Sequence, residues 1–291
     1  MFSLAETYFM SLRQIAALWP LLGFLCAALT FPALAFAQQP DTAAAREIFN
    51  MLNQERTQRG LPALQWNDQL AGAAVDHTRL MVENKQLSHQ FNHEPALRLR
   101  YAKYNLHLDR AGENVAFDST IEGAHDGFMH SPPHRENILS PNYDAAGIGV
   151  IRSGERYYVT QDFAHLVPEL SRNAAEDQVA ARIEQVRAQQ RQARLKRVDI
   201  AEVHKMACQM ASLDRPEPSL ARSLPGARYF VAYTMMEPRQ LPSDLLNLRT
   251  AADVDRFAVG TCFQSTPQYP NGVYWVMVVF LQPPQHPLAS D

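Results

Sequence analysis

The chain has 291 residues, 46% apolar and 20% charged, enough apolar material for one large or two smaller globular domains. A formal net charge of −3 removes any global electrostatic case for a nucleic-acid partner. Plentiful aromatic and β-branched residues exclude an acidic, disordered chain.

The N-terminus differs from the rest. Ile15 to Ala37 is apolar and uninterrupted by charge, follows Arg13, and ends in Ala35-Phe36-Ala37. Residues 1–37 therefore read as a signal peptide cleaved after Ala37, with a secreted or periplasmic mature chain. The alternative is a retained transmembrane anchor, the one route by which this chain would meet a membrane. Cys26 leaves with the signal. Cys208 and Cys262 remain, and an oxidising compartment favours a disulfide between them over two buried free thiols.

A helix is expected over residues 41–58, where Ala45, Ile48, Phe49 and Leu52 share a face and Gly60-Leu61-Pro62 follows. A second begins near Asn67-Asp68 and carries Leu70, Ala73, Ala74, His77 and Met81 on one side. His77 reads as a core-edge histidine. Leu87 to Gly112 reads as loop, 113–118 as a strand, and 121–131 as a helix ended by Pro132-Pro133. Gly147–Ile151 and Arg156–Phe163 form a hairpin around Ser153-Gly154. The order is helix, helix, strand, helix, strand, strand, which suggests a layered α+β sandwich.

Residues 171–199 read as a polar helix, either a linker or the first helix of a second half. Residues 200–283 repeat the order: a helix from Ile200, a strand at Tyr229–Thr234, a helix at Pro242–Val254, and a hairpin of Phe257–Phe263 and Tyr274–Leu281. Local strings echo as well. Val231-Ala232-Tyr233 matches Val115-Ala116-Phe117, and Asp255 to Gly260 matches Asp144 to Gly149. Tyr274-Trp275-Val276 matches Tyr157-Tyr158-Val159. Either the tail is a degenerate second copy of the same fold, or short β-rich strings coincide.

Eight of the ten histidines lie between His77 and His165. Three segments carry chemistry: Leu87-Ser88-His89, Gly112-Glu113-Asn114-Val115-Ala116, and His130-Ser131-Pro132-Pro133-His134-Arg135-Glu136-Asn137. With Asn53-x-x-Arg56, Gly60-Leu61-Pro62-x-Leu64-x-Trp66-Asn67 and Gly147-Ile148-Gly149-Val150, they resemble the bacterial branch of the CAP superfamily (SCP-like), over residues 43–167. The resemblance implies an α-β-α sandwich with an open cleft. Its cleft residues fall on His89, Glu113 and His134, with Ser131 where many eukaryotic relatives carry a second glutamate. Phe128 stands where Trp is usual and Pro133 where Gly is usual.

Two imidazoles and a carboxylate are also, on chemistry alone, a three-ligand set for a divalent metal such as zinc. The alternative is a polar cluster that stabilises the cleft floor, with Asn114 and Asn137 satisfying loop backbone. His93, His107, His125 and His130 read as loop or helix-surface residues. Three functions compete. One is a binding module for a lipid, an envelope component or a protein. Another is a metal-dependent hydrolase of peptide or phosphodiester bonds. The last is an interaction protein worked by its tail. In the tail, Arg228-Tyr229-Phe230 stands where Gly112-Glu113-Asn114 would be, so the tail carries no second set of these groups.

Overall fold

The computed structural model describes residues 39–250 and 253–284. The expected leader, residues 1–37, and the expected cleavage after Ala37 lie outside them. Among the described residues no helix is long and apolar enough to cross a membrane.

Helix α1 spans Thr42–Gln58; its first turn is capped by the Asp41 carboxylate, which accepts from the Ala44 N–H at 3.0 Å. Strand β1 is only Gln65–Trp66. Helix α2, Asp68–Asn84, is capped by Asn67 and ends on Lys85 in the left-handed region. Helix α3 is Leu97–Lys103 and strand β2 is Leu108–Asp118. The stretch expected as loop thus holds a short helix and the first half of a strand. Helix α4, Ile121–His130, stops where expected. Pro132 then opens a new helix, α5, Pro132–Ile138, because proline at a first helical position loses no backbone bond. Strands β3, Ala145–Ser153, and β4, Arg156–Leu166, form the hairpin.

The sheet order is β1-β3-β4-β2, with β1 parallel to β3 and the other pairs antiparallel. Side chains alternate across it. Ala146, Ile148, Val150, Val159 and Phe163 pack under α1, α4 and α5. Ala145 and Ala164 pack under α2 and α3, against Leu70, Ala73 and Tyr101. This is a helix–sheet–helix sandwich. Gly147 and Gly149 let α2 lie on the sheet: a Cβ on Gly149 would stand 2.5 Å from the Ala74 carbonyl carbon.

Beyond it come α6 (Arg172–Gln189), β5 (Lys196–Arg197), α7 (Ala201–Leu213), a 3-10 turn (Pro218–Ser223) and β6 (Ala227–Met235). Helix α8 is Ser243–Leu246, far shorter than the expected Pro242–Val254 helix; β7 (Arg256–Gln264) and β8 (Val273–Leu281) follow. The second sheet has the order β5-β7-β8-β6, again with the short strand parallel and the rest antiparallel. Every residue of β8 is buried, as a central strand covered on both faces requires. Helix α7 crosses at Gly260, where a Cβ would stand 2.3 Å from the Val203 oxygen.

Register corrects the string comparison by one residue. Ala258 pairs with Val279 as Gly147 pairs with Asp162, and Phe230 pairs with Val279 as Glu113 pairs with Asp162. The counterpart of Gly112-Glu113-Asn114 is therefore Tyr229-Phe230-Val231, not Arg228-Tyr229-Phe230. Likewise Val231 stands opposite Val278 as Asn114 stands opposite Gln161, so the Val231–Val115 match is out of step. A one-residue slip moves every side chain to the other face, so string likeness alone misplaces them. Cys208 of α7 and Cys262 of β7 are disulfide-bonded, as expected.

Candidate functional site

Strand β2 is the last strand of its sheet, and its outer edge is dressed by side chains from three elements. Its residues alternate between the two sheet faces. Glu113 and its cross-strand partner Asp162 face α2; Asn114 and its partner Gln161 face α5.

On the α5 side the two asparagines satisfy backbone groups. The Asn114 amide donates to the His134 carbonyl (3.0 Å) and to Gln161 Oε1 (3.0 Å). Asn137 donates to the edge carbonyl of Glu113 (3.2 Å) and to Asn114 Oδ1 (2.9 Å). These bonds fix the first turn of α5, and with it His134, against β2. The ring of Phe128, fully buried in place of the usual tryptophan, meets the His134 ring edge-on at 5.4 Å. Ser131 starts α5 without using its hydroxyl as a cap. Arg135 donates to the Met129 carbonyl.

On the α2 side a chain of alternating charge runs inward from the surface. His89 Nδ1 donates to Glu113 Oε1 at 2.9 Å. Arg100 donates to Glu113 Oε2 at 2.6 Å and lies 3.3 Å from Glu94 Oε1. His77 Nδ1 is hydrogen-bonded with that same Glu94 oxygen at 2.6 Å, and its Nε2 lies 2.8 Å from the Ser88 carbonyl. His77 is fully buried and bonded at both nitrogens, the core-edge role expected of it. The Glu113 side chain is 5% exposed and that of His89 57%, so the chain ends at solvent on an imidazole.

The rings of His89 and His134 stand 6.4 Å apart, centroid to centroid. Their protonation is biased in opposite directions. The hydrogen bond from Glu113 holds the His89 pKa above the ordinary imidazole value, against partial burial. Burial, and then the charge of His89, lower that of His134. Among the described residues no group of three or more His, Cys, Asp or Glu side chains is gathered to hold a metal.

His89, Glu113 and His134 are thus brought together. Glu94, Arg100, His77 and Asp162 complete the cluster and were not expected in it. Asp162 is fully buried, and neither carboxylate oxygen has a hydrogen-bond partner. Burial first, then Glu113, push its pKa well above the usual carboxylate range. The other histidines stand apart. His130 bonds the Asp126 carbonyl and His107 packs on Phe263. His125 is buried, not on the surface as expected, and burial lowers its pKa.

The profile of the "CAP: Cysteine-rich secretory protein family" matches residues 49–163. Two Bacillus subtilis (strain 168) proteins match about two fifths of the chain. "Uncharacterized membrane protein YlbC" is 32% identical over 125 residues, 42% of this chain and 35% of its own. "Uncharacterized protein YkwD" is 29% identical over 123 residues, 42% of this chain and 47% of its own. A solved extracellular protein containing a SCP domain from Bacillus anthracis str. Ames is 30% identical, with 43% of this chain and 41% of that chain covered and a TM-score of 0.40. The chain spans less than half the length of these relatives.

Proposed function

We propose, from the premise that residues 49–163 are a CAP-superfamily domain, that this domain is an exported, cleft-based binding module whose ligand is held between His89 and His134. One observation carries the reading: two imidazoles meet at the open edge of β2, and the carboxylate beside them is already engaged. Glu113 spends one oxygen on His89 and the other on Arg100.

A divalent cation such as zinc would have only the two imidazoles as protein ligands, since no third such group is gathered with them among the described residues, with Glu113 as the carboxylate behind His89. Metal-bound histidines commonly donate their second N–H to such a group. The remaining positions on the ion stay open to a ligand from the envelope, whether lipid, cell-wall component or protein. Ser131, at the start of α5, offers that ligand a hydroxyl.

The second reading, a metal-dependent hydrolase, needs a carboxylate free to move a proton. Glu94 and Glu113 are paired, and Asp162 is sealed from solvent. That favours binding over hydrolysis. The disulfide is consistent with export, since such bonds persist in oxidising compartments. We read the second half as a degenerate copy of the fold, supported by its identical strand order, and as scaffold or interface.

The test is calorimetric titration of the chain from Gln38 with zinc. Wild type should bind, His134→Ala should lose binding while staying folded, and His130→Ala should keep it. Affinity should fall as pH drops through the histidine range, because imidazolium does not coordinate. Equal binding by wild type and His134→Ala refutes the site. N-terminal sequencing of the exported chain should return Gln38; a start at Met1 or Met10 refutes cleavage.

A further inference from the structure

The second half carries a cluster with no equivalent in the first. Helix α7 places His204 one turn before Cys208, and His204 Nε2 lies 3.8 Å from the Cys208 sulfur. The other ring nitrogen, Nδ1, is buried, has no hydrogen-bond partner, and stands 3.6 Å from Glu176 Oε1 of α6. That oxygen accepts the backbone N–H of Thr261 at 3.3 Å, and Thr261 adjoins Cys262. Carboxylate, imidazole and sulfur thus follow one another at the free edge of β7, beyond the end of β5. His204 and both cysteines are partly exposed. Judged by register and by the helix crossing, the first half has Val75, Arg79 and Ile151 at the positions of His204, Cys208 and Cys262. A purely structural disulfide has no use for an imidazole on one of its sulfurs, backed by a buried acid.

We propose that Cys208–Cys262 is a thiol–disulfide exchange centre in which Cys208 is the leaving thiolate and His204, oriented by Glu176, stabilises it. An external dithiol supplies the electrons. Its thiolate attacks Cys262 Sγ; the new sulfur–sulfur bond forms as the Cys208–Cys262 bond breaks, and the electron pair passes to Cys208. His204 Nε2 donates a hydrogen bond or its proton to that sulfur. The second thiol of the dithiol then displaces Cys262, leaving two protein thiols and a cyclic disulfide. Attack is directed to Cys262 because the sulfur with the more stable thiolate leaves faster, and only Cys208 has an imidazole beside it. The charged groups around the centre are Glu176 and Arg172 of α6, Arg197 of β5, which pairs with Asp177, and His204 itself. Burial raises the Glu176 carboxyl, while the Thr261 N–H and these cations oppose the rise.

The test is differential alkylation of the full chain after reduction by a dithiol, with fold followed by circular dichroism. In folded wild type Cys208 should be alkylated ahead of Cys262, with a pH midpoint below the ordinary thiol value of about 8.5. His204→Gln should return that midpoint to the ordinary range, equalise the two cysteines and slow reduction severalfold at neutral pH. Glu176→Gln should move the midpoint part of the way. Cys262→Ser in the chain from Gln38, where Cys208 is then the one cysteine left, provides a check on unreduced protein: that thiol should titrate below the ordinary value, as read from thiolate absorbance. Equal labelling in wild type, a His204→Gln variant that alters stability but not the midpoint, or an ordinary midpoint in Cys262→Ser would each overturn the proposal.

Discussion

The two sheets can be laid over one another by register, and the same positions hold opposite chemistry. Where the first has His77, Thr78, Glu113, Asn114, Thr160, Gln161 and Asp162, the second has Met206, Ala207, Phe230, Val231, Met277, Val278 and Val279. In the second these side chains close into apolar cores. In the first they form separate polar pairs on the two sheet faces, Thr78–Thr160 and His89–Glu113 toward α2 and Asn114–Gln161 toward α5, with Asp162 buried among them. The strand order survives either filling, so the polar set is not required for the fold. Buried polar groups are costly to satisfy, and an apolar replacement of similar shape is often as stable or more so. Their presence on one side only is what the proposed binding role of that side would explain.

The largest effect should come from breaking the polar set at its buried charge. Glu113→Ala leaves Arg100, 7% exposed, with Glu94 alone, and should cost about 3–5 kcal/mol in denaturant unfolding. Its counterpart Phe230→Ala, half-buried, should cost clearly less; equal losses would break the contrast. Next comes the contact the halves share. Gly149→Ala and Gly260→Ala both drive a methyl into helix backbone, and each should cost about 1–3 kcal/mol. Tolerance at one and not the other would show that the helices sit differently on their sheets.

Asp162 sharpens the comparison by pH. Its folded pKa is raised, so the folded state holds the proton more tightly than the unfolded chain. Stability should be greatest below the ordinary carboxyl value of about 4 and decline as pH climbs toward the raised folded value. Asp162→Asn should flatten that decline and be the more stable protein at neutral pH; a slope unchanged by the substitution would contradict the assignment. The smallest effect belongs to His89. Its raised pKa gives stability that is complete below about pH 6.5 and lost as pH rises through the folded value. Because the ring is exposed, His89→Gln should cost only about 0.2–1 kcal/mol in acid and nothing in alkali.

Much of this was legible in the sequence. Periodicity marked α1, α2 and both hairpins, and the resemblance to the CAP superfamily marked His89, Glu113 and His134. Their partners were not legible. Arg100 lies in Leu97-Arg98-Leu99-Arg100-Tyr101, where apolar and charged residues alternate, and a seven-residue helix is too short for its period to show. Asp162 sits in a strand whose neighbours advertise a core, and only the sheet register sets it beside Glu113. The two prolines after Ser131 read as a stop, although proline also starts helices. Of the expected Pro242–Val254 helix only one turn forms; Leu245, Leu246 and Leu248 pack on the core from that turn and the loop after it.

Asn271, only 4% exposed, lies in the loop before β8, yet its amide donates to the carbonyls of Arg98 (3.2 Å) and Leu106 (3.0 Å). Those two carbonyls bracket the end of α3, the helix whose Arg100 grips Glu113. The first half is therefore tied to the second through this side chain, and a chain ended after β4 would lose both bonds. An expression clone stopping there would strip two carbonyls of their partner and leave α3 without its far anchor.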